Sequence, residues 1–122
     1  TVKVVNARSQ HMAKNIAFSI ANSPLFKTAM AGEDPNWGRI IMGIGKSGEE
    51  IDSKKLKIKF GDFIVAENGK ISDSYNEEKL KEYMKWDSIL VEINLKQGSD
   101  AFECYTCDFT SDYIDINADY RN

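Results

Sequence analysis

An α+β fold, a mostly antiparallel sheet with packed helices, is the class this sequence predicts, and three patterns predict it. Apolar residues recur at helical spacing through the first half, from Met12 to Ile44. Alternation of apolar and polar residues takes over in the second half, as in Leu56-Lys57-Ile58-Lys59-Phe60 and from Ile89 to Lys96. Short links such as Asn68-Gly69 join neighbouring strands locally, and local hairpins make antiparallel pairs.

The elements follow in order. Thr1 to Val5 is β-branched and short, a strand. From Ser9, an N-cap type, Met12, Ala13, Ile16, Ala17, Ile20 and Ala21 share one helical face. That helix ends near Asn22-Ser23, because Pro24 cannot continue it from within. Pro24 fits the first turn of a second helix, Leu25 to Ala31, with Ser23 as its cap. A third helix from Asn36 to about Lys46 turns Trp37, Ile40, Ile41 and Ile44 inward, with a partly extended segment as the alternative. Gly38, Gly43 and Gly45 each weaken it by roughly 1 kcal/mol relative to Ala, so close packing is expected to require them.

Leu56 to Phe60 and Phe63 to Ala66 read as strands, with a short strand at Lys70 to Ser72 after the hairpin signal Asn68-Gly69. Ser74-Tyr75-Asn76-Glu77 reads as a capping box opening a helix to about Trp86, with Leu80, Tyr83 and Met84 inward. Glu77 and Lys81 have the spacing of a favourable ion pair on it. The longest strand, Ser88 to Lys96, turns through Gln97-Gly98-Ser99-Asp100 into Ala101 to Phe109, its expected antiparallel partner. Leaving aside the short strand, the order is βαααββαββ.

With 122 residues there is room for one domain, spanning 1–122. Apolar residues make up 42% and charged ones 29%, which is the balance of an ordinary folded chain. The net charge of −3 gives no case for nucleic acid or an anionic membrane, since both demand a basic surface. Lysines crowd only Lys54 to Lys59, where they form the outer face of a strand. No apolar run approaches the ~20 residues of a membrane span, and the opening residues carry no signal-peptide pattern. Two cysteines make no disulfide scaffold, and a reducing cytoplasm is the expected setting.

Three motifs carry less than they first suggest. Gly43-Ile44-Gly45-Lys46-Ser47-Gly48 matches a dinucleotide string, but a helical pattern precedes it and Glu49-Glu50 follows. A helix end and turn accounts for it better. Cys104 and Cys107 are three apart on an expected strand, so their sulfurs point to opposite faces. His11 is the only histidine, which rules out a histidine-based triad or a multi-histidine metal site within the chain. No metal is expected.

One stretch concentrates chemistry: Ala31-Gly32-Glu33-Asp34-Pro35-Asn36-Trp37-Gly38-Arg39. Two acids, an amide, an indole and a guanidinium fall between two apolar helices. Gly32 is free to take a positive φ, while Pro35 pushes Asp34 into an extended conformation. Adjacent carboxylates usually point apart, so at most one of the pair would face a site. Asp34 suits helix capping, and Arg39 holds the turn by pairing with Asp34 or a backbone carbonyl. The plain structural alternative is a helix–turn–helix corner whose acids only cap and whose Trp37 fills the core.

This stretch, with Ala21-Asn22-Ser23-Pro24-Leu25 and Lys27-Thr28-Ala29 before it, resembles the ornithine acetyltransferase (glutamate N-acetyltransferase) family. The end of the chain, Ile116-Asn117-Ala118-Asp119-Tyr120-Arg121, resembles that family's carboxyl terminus, in the right order and some eighty residues on. The resemblance implies the self-cleaving ornithine acetyltransferase-like (DmpA/ArgJ-like) fold and a cytoplasmic enzyme of arginine biosynthesis. Its reaction moves an acetyl group from N2-acetylornithine to glutamate, and in some members acetyl-CoA also serves as donor. No other cofactor is implied. The family's precursor cuts itself before a threonine that becomes the nucleophile. Thr1-Val2-Lys3-Val4-Val5 does not match that threonine's surroundings, so this chain corresponds to the carboxyl-terminal part of the beta chain and is expected to be inactive alone. Its expected partners are the alpha chain and the upstream part of the beta chain, in an assembly of two copies of each.

The resemblance also selects site residues. Glu33 matches a glutamate that lines the acyl-transfer site, where it contacts substrate or assists the nucleophile. Asn117 matches a substrate-contacting asparagine. Asn122 stands where the family ends in a serine or threonine hydroxyl, a departure that keeps hydrogen bonding but changes its length. Two alternatives stay open: an amidohydrolase or aminopeptidase on the same self-cleaving fold, and a free-standing binding module.

Overall fold

In a computed structural model that describes residues 1–107, six strands and four helices share one hydrophobic core. The strands are β1 (Val2–Ala7), β2 (Lys57–Phe60), β3 (Phe63–Glu67), β4 (Lys70–Ile71), β5 (Val91–Asn94) and β6 (Asp100–Cys104). The helices are α1 (Gln10–Ala21), α2 (Pro24–Ala31), α3 (Trp37–Lys46) and α4 (Glu77–Tyr83). One sheet runs in the order β4-β3-β2-β5-β1-β6, and every neighbouring pair in it is antiparallel except β1 with β5. The α+β class with a mostly antiparallel sheet holds.

The helical half follows its sequence signals closely. Ser9 caps α1 by accepting from the Met12 N–H at 3.0 Å, and the buried face is Met12, Ala13, Ile16, Ala17, Ile20 and Ala21. Ser23 caps α2, with Pro24 in its first turn where the missing N–H costs nothing. The third helix is helical throughout, so the partly extended alternative falls away. It ends through Gly48 at φ +77°, which explains the glycine string as a helix terminus. Of its glycines, Gly43 is the one that close packing requires. A Cβ there would meet Ile20 Cα at 3.2 Å, whereas nothing lies within 4 Å of one at Gly45. The Ser19 hydroxyl donates to the Gly43 carbonyl at 2.6 Å, tying α1 to α3 at the same point.

The strands depart further. Asn68 and Gly69 both take positive φ, 53° and 80°, and close the β3–β4 hairpin as a two-residue turn. Lys57 and Lys59 do form the outer face of β2, and Lys59 pairs across the sheet with Glu92 at 3.8 Å. The expected long strand contracts to Val91–Asn94. Lys96 takes φ 54°, which takes the chain out of strand geometry. The expected pairing of this strand with the next is overturned: β6 pairs with β1, which lies between them. The link from β5 to β6 crosses the end of β1, where Gln97 N–H reaches the Asn6 carbonyl at 2.9 Å. Gly98 makes the crossing close, since a Cβ would run into the Ala7 carbonyl. A crossing that local cannot be told from a hairpin turn by residue type.

The fourth helix is also shorter than expected. Its cap is Asn76, accepting from Lys79 N–H at 3.1 Å, rather than Ser74 of the capping box. Ser74 instead bonds Ser72, hydroxyl to hydroxyl at 2.9 Å. Glu77 and Lys81 do not form the expected ion pair; the described pairs are Lys59–Glu92 and Lys85–Glu82. The strand end separates the two cysteines as expected: Cys104 is buried and Cys107 exposed, both free. Burial pushes the Cys104 thiol above its ordinary range.

Two outcomes are expected. Gly43→Ala should destabilise the protein by about 1 kcal/mol through overpacking against Ile20, while Gly45→Ala should stabilise it by up to about 1 kcal/mol, both read by denaturant unfolding. Native alkylation should modify Cys107 and spare Cys104 until the protein unfolds, as mapped by peptide mass.

Candidate functional site

The corner between α2 and α3 is built by backbone geometry. The first helix of the corner ends with Glu33 N–H on the Met30 carbonyl at 3.1 Å and Asp34 N–H on the Ala29 carbonyl at 2.8 Å. These two bonds are a Schellman closure, whose left-handed position is usually glycine. Here that position is Glu33, at φ 56°, while the expected Gly32 stays at φ −84°. Left-handed backbone costs a non-glycine residue roughly 1–2 kcal/mol, so the geometry is maintained against intrinsic preference.

The start of α3 then sets the other side of the corner. Asn36 is its cap, accepting from the Arg39 N–H at 3.2 Å. Asp34, expected to cap, sits one step back and accepts from the Asn36 amide at 3.3 Å, orienting the true cap. An amide directly before the helix outcompetes a carboxylate two residues earlier for the free N–H groups. Arg39 takes the backbone option, donating to the Leu25 carbonyl at 2.8 Å and so bracing the corner against the start of α2. Trp37 is half-buried and packs on the core, as the structural alternative required. That alternative is right about Trp37 and leaves Glu33 unexplained.

Glu33 lies on the wall of a cleft of about 580 Å³. Residues 32–38 form one side of it; Tyr75, Glu77 and Lys81, from the start of α4 and the turn before it, form the other. Sequence reasoning placed none of these last three at a site, because nothing local brings residue 77 to residue 33. The carboxylates of Glu33 and Glu77 and the ammonium of Lys81 have no ion pair or hydrogen bond among the described residues. Partial burial, then the Glu77 and Asp34 carboxylates, push the Tyr75 hydroxyl above its usual range, so it stays a hydrogen-bond donor. Among the described residues the cleft therefore combines unpaired acids, an unpaired cation and a neutral phenol. Such a set suits a small ligand carrying charged groups, an ammonium above all.

Other candidates fare as follows. His11 is exposed and shares a 3.2 Å contact with the Asn15 amide. No group of three or more His, Cys, Asp or Glu among the described residues is placed to hold a metal. No helix among them is long and apolar enough to cross a membrane. Asn117 and Asn122, expected to line the site, lie outside the described residues, as does the expected strand beyond Cys107.

Comparison with known proteins meets this geometry. Residues 1–122 match the model of the ArgJ family. The arginine biosynthesis bifunctional proteins ArgJ of Ruegeria pomeroyi and Brucella melitensis are 49% and 47% identical over 99% of this chain. The chain spans 30% and 29% of the length of those relatives. A crystal structure of arginine biosynthesis bifunctional protein ArgJ from Bacillus halodurans superposes with a TM-score of 0.86 at 35% identity, covering 98% of this chain and 56% of that one. The fold is thus that of a known architecture, and the chain belongs to the ArgJ family.

Proposed function

We propose that this chain supplies the amino-acid-binding wall of an acetyltransferase of arginine biosynthesis, moving an acetyl group from N-acetylornithine to glutamate. The observation that carries the reading is Glu33: a carboxylate held in left-handed backbone, without a partner among the described residues, on the wall of a cleft. Strained backbone at a cleft is where function is stored, and a glycine would make the same turn at lower cost. Membership of the ArgJ family supplies the reaction class.

In this reading the reaction is ping-pong. A threonine hydroxyl in the upstream part of the beta chain attacks the acetyl carbonyl of N-acetylornithine. The amide C–N bond breaks, ornithine leaves with a proton on its α-nitrogen, and the acetyl group stays as an ester on the threonine. The α-amine of glutamate then attacks that ester, and the threonine oxygen leaves. An oxyanion hole in the alpha chain stabilises both tetrahedral intermediates. Glu33 accepts from the α-nitrogen of either amino acid, and Asn117 and Asn122 add hydrogen bonds to the same pocket. Residues 1–122 lack the nucleophile and are inactive by themselves. The working enzyme is a self-cleaved cytoplasmic assembly of two alpha and two beta chains, with acetyl-CoA as an optional donor. An amidohydrolase would need no acceptor amine, and the ArgJ relatives favour transfer over hydrolysis.

Glu33→Gln in the complete, cleaved enzyme keeps shape and removes charge. Loss of a charge-assisted bond of ~1.5–3 kcal/mol should lower kcat/KM for both amino acids roughly ten- to hundredfold. Glu33→Gly should separate stability from function by raising unfolding free energy by about 0.5–1 kcal/mol while losing at least as much activity. Asp34→Asn should cost little rate and slightly more stability, because it removes a charge before α3. Steady-state kinetics and denaturant unfolding on the same preparations check all three. Full activity for Glu33→Gln with a large loss for Asp34→Asn would reassign the carboxylate.

A further inference from the structure

We infer that Glu77 and Lys81 form a two-signed selector for the far end of the substrate, Glu77 receiving a distal ammonium and Lys81 a distal carboxylate. This rests on the reading of the cleft as an amino-acid acetyl-transfer site. That reaction poses a specific electrostatic problem. Donor and acceptor must occupy one pocket in turn, and they share the α-carbon, its carboxylate and its nitrogen, which is acetylated in the donor. Their side chains end in opposite charges, an ammonium in N-acetylornithine and a carboxylate in glutamate. A wall of fixed sign would favour one and repel the other.

The far wall of the cleft carries both signs. Glu77 and Lys81 are four apart on α4, so they lie on the same helix face one turn apart. That spacing usually produces an ion pair, yet the two are not paired with each other or with any described residue. Both line the same cleft as Glu33, which in the proposed reading accepts from the α-nitrogen. A ligand whose distal group lies between them meets an attractive partner whichever sign it carries, and the unused residue turns toward the solvent. Being exposed, each contributes less than a buried pair would. Tyr75, kept protonated beside Glu77, adds a donor that favours the carboxylate end.

The test uses the complete, cleaved enzyme and measures KM separately for N-acetylornithine and glutamate. Lys81→Met should raise KM for glutamate roughly three- to tenfold and leave N-acetylornithine within twofold. Glu77→Gln should do the reverse. A structural role for either residue would move both substrates together, because the same folded pocket receives both. Parallel changes in both KM values, or no change in either variant, would overturn the selector while leaving Glu33 in place. Absence of acetyl transfer by the unmodified enzyme would instead remove the reading of the cleft, and the selector with it.

Discussion

Two backbone hydrogen bonds, from Glu33 and Asp34 to the last turn of α2, are the constraint on which the candidate site depends. They stop the helix, reverse the chain and place a carboxylate where glycine would ordinarily stand. The location is electrostatically divided as well. The negative end of α2 disfavours an acid, and the positive end of α3, three residues on, favours one. Asp34 lies on the favourable side and is used up in orienting the Asn36 cap. Glu33 lies on the unfavourable side and has no partner among the described residues. Adjacent carboxylates have thus been sorted into a structural and an available one by backbone geometry alone.

The corner is only as firm as the packing behind it. From the sheet, Val2, Val4, Ile58, Phe60, Val91 and Ile93 bury completely or nearly so, as do Ile16 and Ile20 of α1 and Ile40 and Ile44 of α3. Each such side chain contributes roughly 1.5–3 kcal/mol on burial. The α1–α3 contact is close enough that Gly43 sits against the Ile20 backbone, which leaves α3 little room to slide. With α3 held there, Arg39 can reach back to the Leu25 carbonyl and lock the two ends of the corner together. Strain at Glu33 persists because these surroundings over-determine it.

Legibility followed the range of the interactions. Caps at Ser9 and Ser23, the buried face of α1, Pro24 at a helix start and the Asn68-Gly69 turn all depend on neighbours in sequence, and all were readable. Asn36 and Asn76 displaced Asp34 and Ser74 as caps because several capping residues stood in line, and only the helix phase decides among them. The β5–β6 pairing was misread because β1, the first strand, inserts between two strands that are consecutive in the chain. No local signal carries that. Resemblance alone selects Glu33 as a candidate site residue; that it rather than Gly32 takes the positive φ was not legible. The far wall of the cleft was illegible, since Tyr75, Glu77 and Lys81 reach the corner only through the fold.

The cleft gathers charged groups of both signs without pairing them among the described residues. The ion pairs described lie elsewhere, Lys59 with Glu92 across the sheet and Lys85 with Glu82. In the cleft, Glu77 and Lys81 have the spacing to pair and do not, and Glu33 has backbone strain without a side-chain partner among the described residues. Both features forgo small amounts of stability that glycine at 33 or a closed ion pair on α4 would recover. A folded chain keeps such conflicts where the missing partner arrives from outside. Here three charged groups that have no partner among the described residues line one cleft. That shared lining, more than any one residue, supports the proposed reading of the corner as a binding wall and leaves the helix–turn–helix alternative incomplete.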